Sequence, residues 1–254
     1  MNIVVFAKLV PDLVEELTID ASGTALDTAW LRLIINEFDD YAIEQAILLK
    51  EAGGGKVTVI TANVEGVDDM LYAAAARGVD QLIKLNGDFE GGVNNHAIAR
   101  AITPLIKEIQ PDLVLTGVQA NNDLDGSLGT LLAEYLGVPY VGYVAGVKGQ
   151  GDKVLVRKEY PGGLIAEMEV SLPGLLGIQA AEQPPRYVAI SKVRQAMKTA
   201  VIEEKVVDSL DTSGGPIIER MFLPEAAQRA TMIEGDVDAV ADQLVTIFKE
   251  LGVL

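Results

Sequence analysis

The chain has 254 residues, 49% of them hydrophobic, enough to bury a sizeable core, and it carries a formal net charge of -17. That charge speaks against a nucleic-acid binder, whose target phosphates need a concentrated basic surface. The absence of cysteine excludes disulfides, thiolate catalysis and Cys-ligated zinc or iron-sulfur centres, and a single histidine, His96, excludes a histidine-rich metal site.

No apolar run approaches the length of a membrane span, and the N-terminus MNIVVFAKLVPD lacks the apolar stretch and small-residue pair of a signal peptide. The expectation is a cytoplasmic protein without direct membrane insertion. In chain order, Ile3 to Ala7 predicts a first strand, with Lys8 to Asp12 as its exit loop. Residues 18–35 show no clear helical period. Asp39 to Ala52 places Ile43, Ala46, Ile47 and Leu49 at helical spacing, and three glycines close that helix. Lys56 to Thr61 alternates as a strand, Val67 to Arg77 is an alanine-rich helix, Gln81 to Leu85 a strand, Asn94 to Ile109 a helix and Leu113 to Thr116 a strand. Alternation of this kind predicts a Rossmann-like parallel α/β sheet flanked by helices.

The most informative stretch is DLVLTGVQANNDLDGSLGTLLAEYLGVP, residues 112–139. An apolar strand stops at Gly117, a polar loop follows, and Gly126 and Ser127 open a helix carrying Leu128, Leu131, Leu132 and Leu136. A loop at the carboxyl end of a parallel strand is where open α/β sheets bind ligands, and the following helix offers N–H groups to phosphate. Asn, Asp and Gly are also the ordinary turn residues, so a solvated connection explains the pattern equally well. Neither the P-loop pattern nor GxGxxG occurs, which speaks against a hydrolysed triphosphate and a self-sufficient NAD dehydrogenase.

Beyond Pro139, Val154 to Tyr160 and Leu164 to Val170 predict a β-hairpin across Pro161-Gly162-Gly163. AEQPPRY, residues 181–187, is extended because adjacent prolines cannot sit inside a helix. Residues 188–198 read as a short exposed helix and the chain beyond 200 as irregular, until Asp236 to Leu251 forms an amphipathic helix. The organisation expected is an α/β core with a hairpin over residues 1–200, and a C-terminal arm over 201–254; the resemblance described below makes the core nucleotide-binding and adds a recognition loop to it. That arm either wraps a partner or packs back on its own sheet. No nucleophile and base pair, paired carboxylate or metal-ligand cluster stands out, and His96 reads as a surface or capping residue. A protein without catalytic residues of its own is expected.

The order of segments resembles a family. VVFAKLVPD at 4–12, INEFDDYAIEQAILLKE at 35–51, AAARGVDQLI at 74–83, PDLVLTGVQA at 111–120, GDKVLVRKEYPGGL at 151–164 and PPRY at 184–187 resemble the β subunits of electron transfer flavoproteins, the group that includes FixA. The resemblance implies a heterodimer with an electron transfer flavoprotein α subunit, AMP bound structurally in this chain, and FAD held mainly by the α subunit at the interface. It implies electrons received from flavin dehydrogenases of the acyl-CoA dehydrogenase type and a membrane quinone oxidoreductase as acceptor. The nucleotide residues it implies are Phe6, Asn36, Glu37, Phe38, Asp39, Ala62 and the loop Gly117, Val118, Gln119, Ala120, Asn121, Asn122, Asp123, Leu124, Asp125, Gly126, Ser127 and Leu128. The docking residues it implies are Arg186, Tyr187, Ile190, Lys192 and Arg194. This chain has Asn36-Glu37-Phe38 where the family has Asn-Pro-Phe, and Leu128 where a hydroxyl or valine is usual. Two alternatives remain open: an electron-bifurcating member with a second FAD in place of AMP, and a non-redox adenine-nucleotide-binding protein of universal-stress type.

Overall fold

The computed structural model describes residues 1–89, 93–123, 125–224 and 230–254. The elements run β1 (Asn2–Phe6), β2 (Leu9–Pro11), β3 (Leu33–Ile35), α1 (Glu37–Gly53), β4 (Lys56–Ala62), α2 (Val67–Arg77), β5 (Gln81–Asn86), α3 (Asn95–Ile109), β6 (Leu113–Gly117) and α4 (Leu128–Leu136). They continue with β7 (Tyr140–Gln150), β8 (Lys153–Tyr160), β9 (Leu164–Ser171), β10 (Gly174–Ile178), α5 (Ile190–Thr199), β11 (Ile202–Val206) and α6 (Val237–Glu250). Among the described residues one sheet has the order β11-β5-β4-β1-β6-β10-β7-β8-β9, parallel from β11 through β7 and antiparallel at β8 and β9.

The apolar run at the N-terminus is continuous because β1 is covered on both faces. Ile3 and Val5 face α1 and α2, where they meet Ile43, Ile47 and Leu71; Val4 and Phe6 face α3 and α4, where they meet Ile98, Ile102 and Leu132. The period-two alternation of β1 therefore assigns its side chains to two separate cores. The α/β expectation holds, as do the helices and the hairpin, which lies at the sheet margin as β8 and β9.

Three readings need correction. Lys8 to Asp12 is not only an exit loop: Leu9–Pro11 pairs antiparallel with Leu33–Ile35, burying Val10 while Leu9 and Ile35 pack on the α1/α2 core. β7 and β10 were unforeseen, and β10 inserts parallel between β6 and β7. The chain just beyond 200 is not irregular, since β11 adds to the edge of β5. Its acidic character suits the buried Lys84, whose ammonium lies 2.9 Å from Asp68 of α2 and 3.2 Å from Glu204 of β11.

The contacts of the chain divide into one compact unit over Met1–Met221 and a second over Phe222–Leu254. Within the second, α6 is capped by Asp236, whose side chain accepts from the Ala239 N–H at 2.9 Å, and none of its residues is buried. Among the described residues, no helix is long and apolar enough to cross a membrane.

The extended segment before α5 is fastened to α1 by polar contacts. Glu44, 2% exposed, accepts from the Arg186 backbone N–H at 3.0 Å and from its Nε at 2.8 Å, while the outer guanidinium nitrogens reach Glu51 at 2.6 and 3.0 Å. Gln45 accepts from the Glu182 N–H at 3.1 Å. Removing Arg186 strands a buried carboxylate, whereas removing the solvent-facing Glu51 does not. In urea unfolding, Arg186→Ala is expected to cost about 3 kcal/mol and Glu51→Ala less than about 1 kcal/mol. Equal losses would show that Glu44 is not the dominant partner.

Candidate functional site

Chain direction across the sheet reverses at β1. From β1 the chain moves outward to β4 and β5, then α3 returns it to β6 on the other side. The carboxyl ends of β1 and β6 are therefore the topological switch point of the sheet, the position where open α/β sheets form the crevice that takes ligands.

A buried carboxyl spans that crevice. Asp39, in the first turn of α1 and 4% exposed, accepts from the Lys8 N–H at 3.0 Å and from the Gly117 N–H at 2.8 Å, tying the exits of β1 and β6 to one side chain. Burial pushes its pKa up to about 6; the positive charge of Lys8 and the hydrogen bonds from Lys8, Gly117 and Asn36 pull the other way. Glycine is required at 117 by this close approach, because a β-carbon there would lie 2.8 Å from Phe38 Cβ and collide with the Asp39 carboxylate.

The loop from Gly117 is then fastened at several points. Asn36 Nδ2 donates to the Gln119 carbonyl at 2.9 Å, and Asn121 Nδ2 donates to the Pro11 carbonyl at 3.2 Å. The Lys8 ammonium pairs with Asp123, which also accepts from the Ala120 N–H at 3.0 Å. At the far end Asp125 accepts from Asn95 Nδ2 at 2.9 Å and from the Ser127 N–H at 3.1 Å. Burial raises the Asp125 carboxyl, but the bonds from Asn95 and Ser127 outweigh it and hold the pKa below its ordinary value. Among the described residues no side chain caps α4. Among the described residues the buried Thr116 Oγ1 has no hydrogen-bond partner, and the buried Ser127 Oγ has only the neighbouring Asp125 carboxylate beside it, outside good hydrogen-bond geometry. A buried helix start with no side-chain cap, beside an unmatched hydroxyl, fits a ligand bearing several acceptor oxygens, such as a phosphate.

Asn36, Asp39 and the loop are thus directly joined. Phe38 is half-buried beside Gly117 and Glu37 is exposed. The Phe6 ring is 1% exposed in the α3/α4 core, so only its backbone reaches the sheet edge, in register between Ile60 and Thr116. Ala62 ends β4 opposite Leu85. Val118 is buried with its N–H donated to the Ile178 carbonyl at 2.9 Å; Ala120 and Leu128 are buried, and Gln119, Asn121, Asn122 and Asp125 are exposed. Asp123, Gly126 and Ser127 are half-buried, and Leu124 lies outside the described residues.

In the expected docking set, Arg186 is engaged by Glu44 and Glu51, while Tyr187, Ile190, Lys192 and Arg194 are exposed before and along α5. Sequence reasoning missed Lys8, Asn95 and Thr116. A lysine one residue past the first strand opposite an acidic loop was the available signal for Lys8; Asn95 and Thr116 had none. An apolar cleft of about 360 Å³ between β2–β3 and α2, lined by Leu9, Ile35, Ile43, Met70 and Ala74, shares no residue with the loop. Among the described residues no group of His, Cys, Asp and Glu is arranged to hold a metal ion.

Asp39 makes a pH prediction. Its folded pKa of about 6 lies above the ordinary 3.8, so between these values the folded chain binds more protons than the unfolded chain. The stability linked to Asp39 is fully present below the ordinary pKa and lost as pH rises through the folded one. Asp39→Asn keeps a neutral carbonyl acceptor and removes that dependence. Relative to wild type, the variant should gain roughly 2 to 3 kcal/mol on going from about pH 4 to about pH 7. Denaturant unfolding across that range checks it, and a constant offset between the two proteins would contradict it.

The chain matches the family model described as the electron transfer flavoprotein domain over residues 25–210. It is 31% identical to the electron transfer flavoprotein subunit beta of Methylophilus methylotrophus, with 98% of each chain covered. It is 30% identical to protein FixA of Azorhizobium caulinodans, covering 98% of this chain and 94% of that one. It is also 30% identical to the acryloyl-CoA reductase electron transfer subunit gamma of Anaerotignum propionicum, covering 95% and 96%. With these matches running nearly end to end over the sheet and crevice described above, the chain belongs to the β-subunit family of electron transfer flavoproteins, a family of electron carriers associated with flavin.

Proposed function

We propose that this chain is the β subunit of a heterodimeric electron transfer flavoprotein, holding AMP in the β1/β6 crevice beneath a FAD carried mainly by the α subunit. The observation that carries the nucleotide reading is the start of α4: among the described residues it has no side-chain cap and the buried Thr116 hydroxyl is unmatched, at the end of a loop fastened by Asn36, Asp39 and Lys8. Of the loop carboxylates, Asp123 is neutralised by Lys8, while Asp125 stays ionised with its Oδ1 engaged by Asn95 and the Ser127 N–H. The N–H groups of the first turn of α4 would receive the phosphate. Family membership sets aside the universal-stress alternative.

The bound flavin supplies the redox chemistry. This chain contributes burial and docking: Phe38, half-buried beside Gly117, excludes water on the flavin side, and Asp39 holds the strand exits beneath it. Dehydrogenases deliver electrons at the start of α5, where Ile190 is 66% exposed and flanked by Lys192 and Arg194. Tyr187, 88% exposed, adds an aromatic anchor. The acceptor is a membrane quinone oxidoreductase, reached from the cytoplasm, and the C-terminal arm wraps the α subunit.

The heterodimer purified with its α subunit should show a flavin spectrum and release one AMP on denaturation. Release of a second FAD in place of AMP would assign the chain to bifurcating electron transfer, and release of no adenine nucleotide would sink the crevice assignment. Ile190→Ala should slow electron transfer from the physiological dehydrogenase by about tenfold or more with flavin content intact. An unchanged rate would remove the docking role.

A further inference from the structure

The first turn of α4 rests on one aromatic ring. Tyr140 opens β7, opposite Leu175 of β10, and its half-buried side chain packs on the α3/α4 core. Glycines from three different elements make room for it. A β-carbon on Gly142 of β7 would stand 2.7 Å from the phenol oxygen, and one on Gly177 of β10 would stand 2.6 Å from it. From the helix side, a β-carbon on Gly129 of α4 would lie 2.9 Å from ring carbon Cε2 and 3.2 Å from the oxygen. The same β-carbon would come to 3.0 Å from Thr116 Oγ1, the unmatched hydroxyl of β6, and Thr116 is paired in register with Gly177. The ring is thus held between the helix backbone and the sheet.

Gly129 is buried and is the second residue of α4. The Leu131 N–H donates to the Ser127 carbonyl at 3.0 Å as the helix begins, so the N–H groups of residues 128–130 have no partner within the helix. How deep those donors sit over β6 depends on how closely the helix backbone approaches the sheet. At Gly129 that approach is at its limit, since carbon atoms in contact stay about 3.5 to 4.0 Å apart. The ring cannot move aside, because the backbones of Gly142 and Gly177 close on its oxygen. Glycine weakens a strand interior and marks a place where another group comes close. Here two strands carry it at the phenol oxygen, and the helix carries it at the ring edge.

We infer that Tyr140 is a positioning residue for the nucleotide phosphate: its ring fixes the depth of the first turn of α4 over β6, and with it the reach of the N–H groups of residues 128–130. The inference rests on the nucleotide reading above. Three variants of the full chain, each in complex with its α subunit, test it. Gly129→Ala drives a β-carbon into the ring and lifts the helix start; alanine is the better helix former, so a fault there comes from the contact and not from the helix. Tyr140→Leu takes the support away without any clash, and it remains informative if the first variant folds poorly. The double variant gives the new β-carbon the space that the ring had filled.

The complexes are loaded with radiolabelled AMP and chased with excess unlabelled AMP. Gly129→Ala should speed AMP release by about tenfold or more, the loss of one hydrogen bond to a charged group, and Tyr140→Leu by about threefold, a fraction of such a bond. The double variant should release AMP more slowly than Gly129→Ala, with the flavin spectrum unchanged throughout. That rescue separates positioning from general damage, which would accumulate when the two changes are combined. Wild-type release from both single variants, or release from the double variant as fast as from Gly129→Ala, would overturn the role of Tyr140 alone. A wild-type complex that retains no AMP would overturn the nucleotide reading and the positioning role with it.

Discussion

The Asp39 carboxyl sits where the backbones of β1 and β6 separate, accepting the Lys8 N–H with one oxygen and the Gly117 N–H with the other. A crossover that reverses direction leaves these strand exits without neighbours, and an unpaired backbone N–H in a buried place costs about 1 to 3 kcal/mol. One side chain at the start of α1 satisfies both. It thereby fixes how α1 lies over the sheet, where the loop after Gly117 begins, and how close Phe38 comes to that loop. The cost is a buried carboxyl whose pKa rises to about 6.

Around that constraint the polar groups at the carboxyl edge divide into two kinds. Asn36, Lys8, Asn121 and Asn95 each have a protein partner and hold the loop in one shape. Among the described residues the Thr116 hydroxyl has none and the Ser127 hydroxyl has only Asp125 beside it, and Ser127 stands where α4 begins without a side-chain cap. A loop made rigid around unmatched groups is preorganised for a ligand, which then binds without the cost of ordering the loop. A loop that existed only to connect β6 to α4 would have no use for that arrangement. The Arg186 contacts with Glu44 and Glu51 do for the segment before α5 what Asp39 does for the strand exits, presenting Ile190 from a fixed base.

Much of the core was legible from residue pattern, because β1, β4, β5 and β6 are apolar runs between helices of clear period. The strands that escaped have physical reasons for doing so. β7, YVGYVAGVKGQ, and β10, GLLGI, are interrupted by glycines of low strand propensity. Those glycines serve packing: the Tyr140 hydroxyl lies across the sheet so closely that a β-carbon on Gly142 or Gly177 would come within 2.7 or 2.6 Å of it. β11, IEEKV, reads as polar, and its Glu204 answers a lysine on β5 that the sequence cannot place beside it.

At the site, the loop itself was legible as strand, polar turn and helix, and the resemblance supplied Asn36 to Asp39. What holds the loop was not legible. Lys8 and Asp123 are separated by 115 residues, and Asn95 and Asp125 by 30, so only the fold makes them neighbours. The anchoring of Arg186 was not legible either, since its partners Glu44 and Glu51 lie 142 and 135 residues away in the chain.

The most direct test of the account is photolabelling of the full chain, in complex with its α subunit, by an azido derivative of AMP, followed by peptide mapping. Label confined to peptides containing residues 36–39 and 117–128, and suppressed by unlabelled AMP, is the predicted result. Competable label elsewhere in the chain, with those two peptides unmodified, would contradict it.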